Sequence, residues 1–209
     1  DLLSYTDAFS PVLLKTFRKT YIILQSSRFT LIPQSIEPEA DKLNIYYDFC
    51  FPDHTDKILC NEWQRNQLYN LFGVNKDIYA FLKRTFDNPL FLHQLTPLCE
   101  YFYKRSKVGN NSKMYIHLQK KWIDIACFNK KGLLFANSFE YGDIHDAAYY
   151  ILNVWEQQGF DQEKDELQLT GDKEPRQIIT RIAQEYIRQV MPSIFPPQLF
   201  KLGKETLEA

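Results

Sequence analysis

The stretch from Lys113 to Gly171 constrains the fold more than any other part of this chain. Residues 114–118, 122–128 and 133–136 are three apolar, strand-like runs, and the connections between them, Gln119-Lys120-Lys121 and Asn129-Lys130-Lys131-Gly132, are short enough for hairpins. The period then changes. Ile144, Ala147, Ala148, Ile151, Leu152 and Trp155 recur at three and four residues, with Asp143 placed to cap a helix and Gly159 placed to stop it. A polar connector over residues 161–166 leads into a strand at Leu167-Gln168-Leu169, which ends at Thr170-Gly171-Asp172. A second helix carries Ile178, Ile179, Ile182, Ala183, Tyr186, Ile187 and Val190 on one side and runs to about Met191-Pro192. With residues 198–202 as a last strand, the order is βββαβαβ, an α/β class (α+β, mixed sheets).

Upstream, Ser10-Pro11 has the form of a helix start. Residues 20–24 and 29–32 are expected to be two strands joined through residues 25–28, a pair that Pro33 ends. Ser35 is placed to cap a helix through Ala40, Leu43 and Tyr47, and residues 58–63 and 68–74 are expected strands. Asn75 caps a helix with Ile78, Phe81, Leu82 and Phe86 on one face; a short strand at 90–93 follows, and Thr96-Pro97 opens another helix. The polar run 104–112, with Gly109-Asn110-Asn111, is the expected divide between a first half, 1–106, and a second, 107–209.

Composition narrows the function classes. A chain of 209 residues should bury roughly 70% of its unfolded surface, so a substantial core is expected. The formal net charge of -1 gives no field to attract nucleic acid or an anionic membrane. Cys50, Cys60, Cys99 and Cys127 lack metal-site or redox spacing and are expected to be small buried hydrophobes in a reducing compartment. No apolar run approaches the ~20 residues of a membrane span, so the expected location is cytoplasmic.

Several segments carry a resemblance: Arg28-Phe29-Thr30-Leu31-Ile32-Pro33, Asn70-Leu71-Phe72-Gly73-Val74, Phe91-Leu92-His93-Gln94-Leu95, Asn137-Ser138-Phe139, Tyr149-Tyr150 and Leu167-Gln168-Leu169-Thr170-Gly171. In this order and spacing the chain resembles an uncharacterised bacterial family, domain of unknown function 3822 (DUF3822). The resemblance implies an actin-like ATPase fold, a two-lobed branch of the ribonuclease-H-like superfold. Residues 1–106 would be the first lobe and 107–209 the second, each a mixed sheet flanked by helices. The family pattern has a strand hairpin upstream of the first helix that this sequence lacks.

Actin-like ATPases hold phosphates at glycine-bearing hairpins and place a carboxylate near the magnesium. The hairpin that the resemblance makes equivalent here, residues 118–122, has no glycine, acid, serine or threonine. Active relatives carry a glycine pair after the fourth strand, where this chain has Gly171 and then Asp172. Thr170, Gly171, Asp172, Lys120 and Lys121 are therefore the candidates for a vestigial nucleotide site, with Thr170-Gly171-Asp172 more simply a bend plus helix cap. Nuclease chemistry needs carboxylates converging on metals, one on the first strand, where His117 and its neighbours stand instead. Asp124 is expected to be an exposed or edge residue, His93 a satisfied core histidine, and His145 balanced by Asp143 and Asp146. No catalytic residue, metal ligand or cofactor is expected. The function implied is a non-catalytic actin-like module with an unknown protein partner. Alternatives are an enzyme binding ATP and magnesium through non-standard residues, or nucleic-acid binding through the basic loops at Lys104-Arg105-Lys107, Lys120-Lys121 and Lys130-Lys131.

Overall fold

The computed structural model describes residues 17–36 and 42–192. The helix start at Ser10-Pro11 and the strand over residues 198–202 lie outside the described residues. Two compact units divide the chain, Asp1–Tyr101 and Phe102–Ala209.

In the first unit, β3 (Lys57–Trp63) and β4 (Leu68–Val74) form an antiparallel hairpin, and β2 (Phe29–Pro33) pairs antiparallel on the other side of β4. The strand β1 (Tyr21–Leu24) pairs parallel with β5 (Leu90–His93). The expected pairing of the first two strands is therefore corrected: they enter different sheets. The connection between them explains why. The Gln94 amide donates to the Ser26 carbonyl and accepts from its N–H, both at 3.1 Å, and the Gln94 N–H donates to Leu24 O. These bonds hold β1 and its following turn at the end of β5.

No ladder joins β3 to β5; a side chain does it. Asn61 Nδ2 donates to Phe91 O at 2.9 Å, and Asn61 Oδ1 accepts from the His93 N–H at 2.8 Å. These are the two bonds a parallel neighbour's backbone would make around Leu92. The strands of this unit thus lie in the spatial order β2, β4, β3, β5, β1.

Among the described residues, α1 (Leu43–Cys50) and α2 (Lys76–Thr85) belong to this unit, and α3 (Leu95–Ser106) begins in it and ends past the divide at Phe102. Asn75 caps α2 as expected, its side chain accepting from the Asp77 and Ile78 N–H groups. Ser35 does not cap a long helix: Gln34–Ile36 is a single 3-10 turn and α1 begins at Leu43, with residues 37–41 outside the described ones.

The second unit is a five-stranded mixed sheet in the order β10-β9-β6-β7-β8. Its elements are β6 (Lys113–Leu118), β7 (Trp122–Phe128), β8 (Leu133–Glu140), α4 (Ile144–Gln157), β9 (Glu166–Gly171), α5 (Lys173–Ala183) and β10 (Gln189–Pro192). The βββαβαβ order holds among the described residues, completed by a strand, Gln189–Pro192, in a stretch expected to be the end of the second helix. The second helix stops at Ala183, and Val190, expected on its apolar face, pairs parallel with Leu167 instead.

Alternation sorts the strands. Met114, Ile116, Leu118, Ile123, Ile125, Cys127, Leu167 and Leu169 form one core with Ala147, Ala148, Ile151 and Trp155 of α4 and Ile179 and Ala183 of α5. Residues between them face the other way: Tyr115 stacks on Phe102 of α3, ring centroids 4.3 Å apart. All but His117 and Trp122 of β6 and β7 are buried.

Both ends of α4 are set by local chemistry. At its start, the Asp143 carboxylate accepts from the His145 N–H and Asp146 accepts from the Asp143 N–H. At its end, Gly159 adopts φ 66°, the Phe160 N–H bonds Trp155 O, and the Gly159 N–H bonds Glu156 O. This Schellman stop lays Phe160 edge-on against Trp155, 5.0 Å between ring centroids. The cysteines depart from expectation: Cys99 and Cys127 are buried, but Cys50 and Cys60 are exposed because they lie on outward positions of α1 and β3.

Candidate functional site

The five sequence candidates gather at one end of the second unit's sheet, around the last residue of β6. Thr170 and Gly171 end β9 beside His117 and Leu118, and the Asp172 N–H donates to Leu118 O at 2.8 Å. Lys120 and Lys121 are the exposed tip of the hairpin that follows Leu118. The hairpin is closed on itself: the Gln119 N–H donates to Trp122 O, and Gln119 O accepts from the Tyr141 hydroxyl.

Gly171 has φ 93°, a conformation that costs side-chain-bearing residues energy. A Cβ there would collide with the Leu118 carbonyl oxygen and sit 2.7 Å from its nitrogen. The glycine therefore serves the approach of two strands. Asp172 occupies the N-cap position of α5, but its side chain makes no capping bond, so the expected cap is a cap in position alone. Its carboxylate instead acts electrostatically on His117 and Tyr141.

A polar row lies beside these residues. The register aligns Thr170, His117, Asp124 and Ser138 across β9, β6, β7 and β8, on the face away from α4 and α5. The Thr170 hydroxyl donates to Ile116 O at 2.9 Å, so it accepts from His117 Nδ1–H at 3.0 Å and leaves Nε2 as the ring's lone-pair nitrogen. Burial pushes the His117 pKa down, against the opposing pull of Asp124 and Asp172.

Asp124 is the correction here. It is only 2% exposed, on an interior strand, and accepts from the Ser138 hydroxyl at 2.5 Å. Neither Asp124 nor Ser138 was a sequence candidate; the signal was an acid between Ile123 and Ile125 in a strand with apolar residues on both faces. Chemically, the row sets a neutral imidazole beside a buried carboxylate. It is no triad, because Ser138 bonds the carboxylate and not the imidazole. Among the described residues, no group of three or more His, Cys, Asp or Glu is arranged to hold a metal.

His93 is the satisfied core histidine expected. Its Nδ1 accepts from the Leu95 N–H, so Nε2–H donates to Ser26 O at 2.9 Å, and burial lowers its pKa to about 4. His145 lies 2.7 Å from the Asp143 carboxylate. Another cavity, about 650 Å³, opens in the first unit beside Asp48, His54, Asp56, Lys57 and Lys76. There His54 Nδ1 accepts from the Asp56 N–H and Nε2 meets Asp48 at 2.6 Å, so both ring nitrogens are engaged.

Comparison with known proteins fixes the family. The profile described as "Protein of unknown function (DUF3822)" matches residues 6–190. No curated protein matches the chain. Among solved structures, it is similar to a Bacteroides thetaiotaomicron protein with an actin-like ATPase fold and unknown function. The two are 34% identical, with a TM-score of 0.83 over 91% of this chain and 74% of the other. It is also similar in fold to a chain of the PilM-PilN type IV pilus biogenesis complex, at 11% identity and a TM-score of 0.52, again over 91% and 74%. The distribution of strands and helices in both units agrees with these matches. This chain therefore belongs to the DUF3822 family of proteins of unknown function and has an actin-like ATPase fold.

Proposed function

We propose that this chain is a non-catalytic actin-like module of two lobes, residues 1–106 and 107–209, that acts by contacting another protein. The observation that carries this reading is the surroundings of Gly171. A glycine that admits a phosphate leaves the space of its missing Cβ open to the ligand. At Gly171 that space holds the backbone of Leu118. The neighbouring hairpin commits the Gln119 N–H to Trp122 O and its Gln119 and Lys121 carbonyls to Tyr141, and its tip offers two flexible lysine side chains and no glycine. The buried carboxylate of the row is held by Ser138. A shared fold with a chain of the PilM-PilN complex agrees with a role in assembly.

Isothermal calorimetry with ATP and magnesium tests it. The expected result is no binding heat beyond dilution. Saturable binding at micromolar Kd would replace this reading with the ATP-binding alternative, and Lys120→Ala with Lys121→Ala would then locate the site.

A further inference from the structure

A second cavity of about 430 Å³ lies in the second unit, on the α4 and α5 side, the face opposite the row just described. It is walled by Trp155, Phe160, Tyr186 and Ile187 and rimmed by Glu156 and Gln162. The Schellman stop of α4 builds it, because that turn places Phe160 at an interplanar angle of 82° to Trp155, two sides of an aromatic corner. Tyr186 adds a third ring that is 52% exposed.

Three features define what this corner would take. Its carboxylate, Glu156, makes no hydrogen bond or ion pair with the described residues, whereas the nearby acids Asp161 and Glu163 are already paired with Lys164 and Arg188. The last turn of α4 carries no basic residue, so the negative end of the helix dipole adds to the Glu156 charge. The Trp155 indole N–H is buried and meets no acceptor among the described residues. A buried donor left without a partner is destabilising, and its unmasked resonance reports on whatever docks against the ring.

We infer that this corner binds a basic residue, arginine or lysine, of a partner protein. The alkyl stem lies against the aromatic rings and the cation meets Glu156. Aromatic faces and a carboxylate together favour a cation over a neutral side chain. The inference rests on the protein-contact reading above, but it is tested independently of ATP.

The probe is N-acetyl-arginine methylamide, titrated into the full chain while the Trp155 indole N–H resonance is followed, assigned with Trp155→Phe. The expected result is a saturable shift, weakened about tenfold in Glu156→Gln, an exposed position where folding should be unaffected. N-acetyl-citrulline methylamide, the neutral analogue, should shift it far less. Equal shifts with both probes, or an unchanged affinity in Glu156→Gln, would overturn the inference. So would a shift that appears only when Lys201 and Lys204 are replaced by alanine, which would give the corner to this chain's own last segment. Loss of the arginine shift with ATP calorimetry still blank would sink this inference alone.

Discussion

The two units treat the end of the same kind of strand in opposite ways. In the first, β5 runs into α3 through His93, Gln94 and Thr96, whose polar atoms close on Ser26, Asn61 and Trp63. In the second, β9 runs into α5 through Thr170, Gly171 and Asp172, with an exposed acid and a half-buried imidazole alongside. One strand end is sealed by a network of side-chain hydrogen bonds; the other chiefly by the close backbone approach at Gly171, with Thr170 bonding Ile116 O and His117. The strand orders β2-β4-β3-β5-β1 and β8-β7-β6-β9-β10 are also alike in space, although the first unit draws its outer strands from earlier in the chain. A sheet plan can therefore persist while the chemistry at its strand ends diverges.

The largest test of that contrast is Gly171→Ala. Strain at positive φ and collision with Leu118 should together destabilise the second unit by about 4 kcal/mol in denaturant unfolding. A loss under about 1 kcal/mol would mean the two strand ends are not sealed by close backbone approach. Acid tests the other end. Unfolded His93 titrates near 6.5 and folded His93 near 4, so the unfolded chain takes up a proton that the folded chain refuses. The contribution is whole above pH 6.5, falls as pH drops, and levels off below 4, an effect of about 3 kcal/mol. Unfolding free energies measured from pH 7 to 4, with His93→Gln as the flat control, would show it.

How much of this was legible beforehand depends on distance along the chain. Asn75, Asp143 with Asp146, and Gly159 act on backbone within a few residues, so their roles could be read directly. The partner of β1 could not, because the Gln94 amide that holds its turn lies 68 residues from Ser26. Val190 misled for a different reason: Ile187 and Val190 are spaced as on a helix, and the turn after Ala183 carries no glycine or proline. Asp124 misled because alternation was read as one wet face, whereas the second face is also buried: Phe102 and Tyr103 pack on Tyr115 and Phe128, and Asp124 itself is 2% exposed. For the candidate site, the structure places the five residues at one end of a sheet, and the buried row beside them emerged only from the strand register.

Smaller effects sharpen the comparison. Asn61→Ala should cost about 2 kcal/mol by stranding the His93 N–H and Phe91 O, and amide exchange at His93 should accelerate in parallel. The two buried tryptophans offer a matched pair. Trp63 Nε1 donates to Thr96 at 2.9 Å, while Trp155 Nε1 has no acceptor among the described residues. Replacing each by phenylalanine should cost about 1 kcal/mol more at Trp63, measured as a difference in unfolding free energy. Smallest of all, Lys120→Ala and Lys121→Ala should change stability by less than about 0.5 kcal/mol, because their side chains are exposed at a hairpin closed by its backbone.

Asn61 has one more consequence. Because a single carboxamide stands where a ladder would run, deamidation there would replace an N–H donor with a negative oxygen facing the Phe91 carbonyl. Chemical ageing of one residue would then unzip the parallel strand pair from its antiparallel neighbours, with every main-chain ladder on either side still intact.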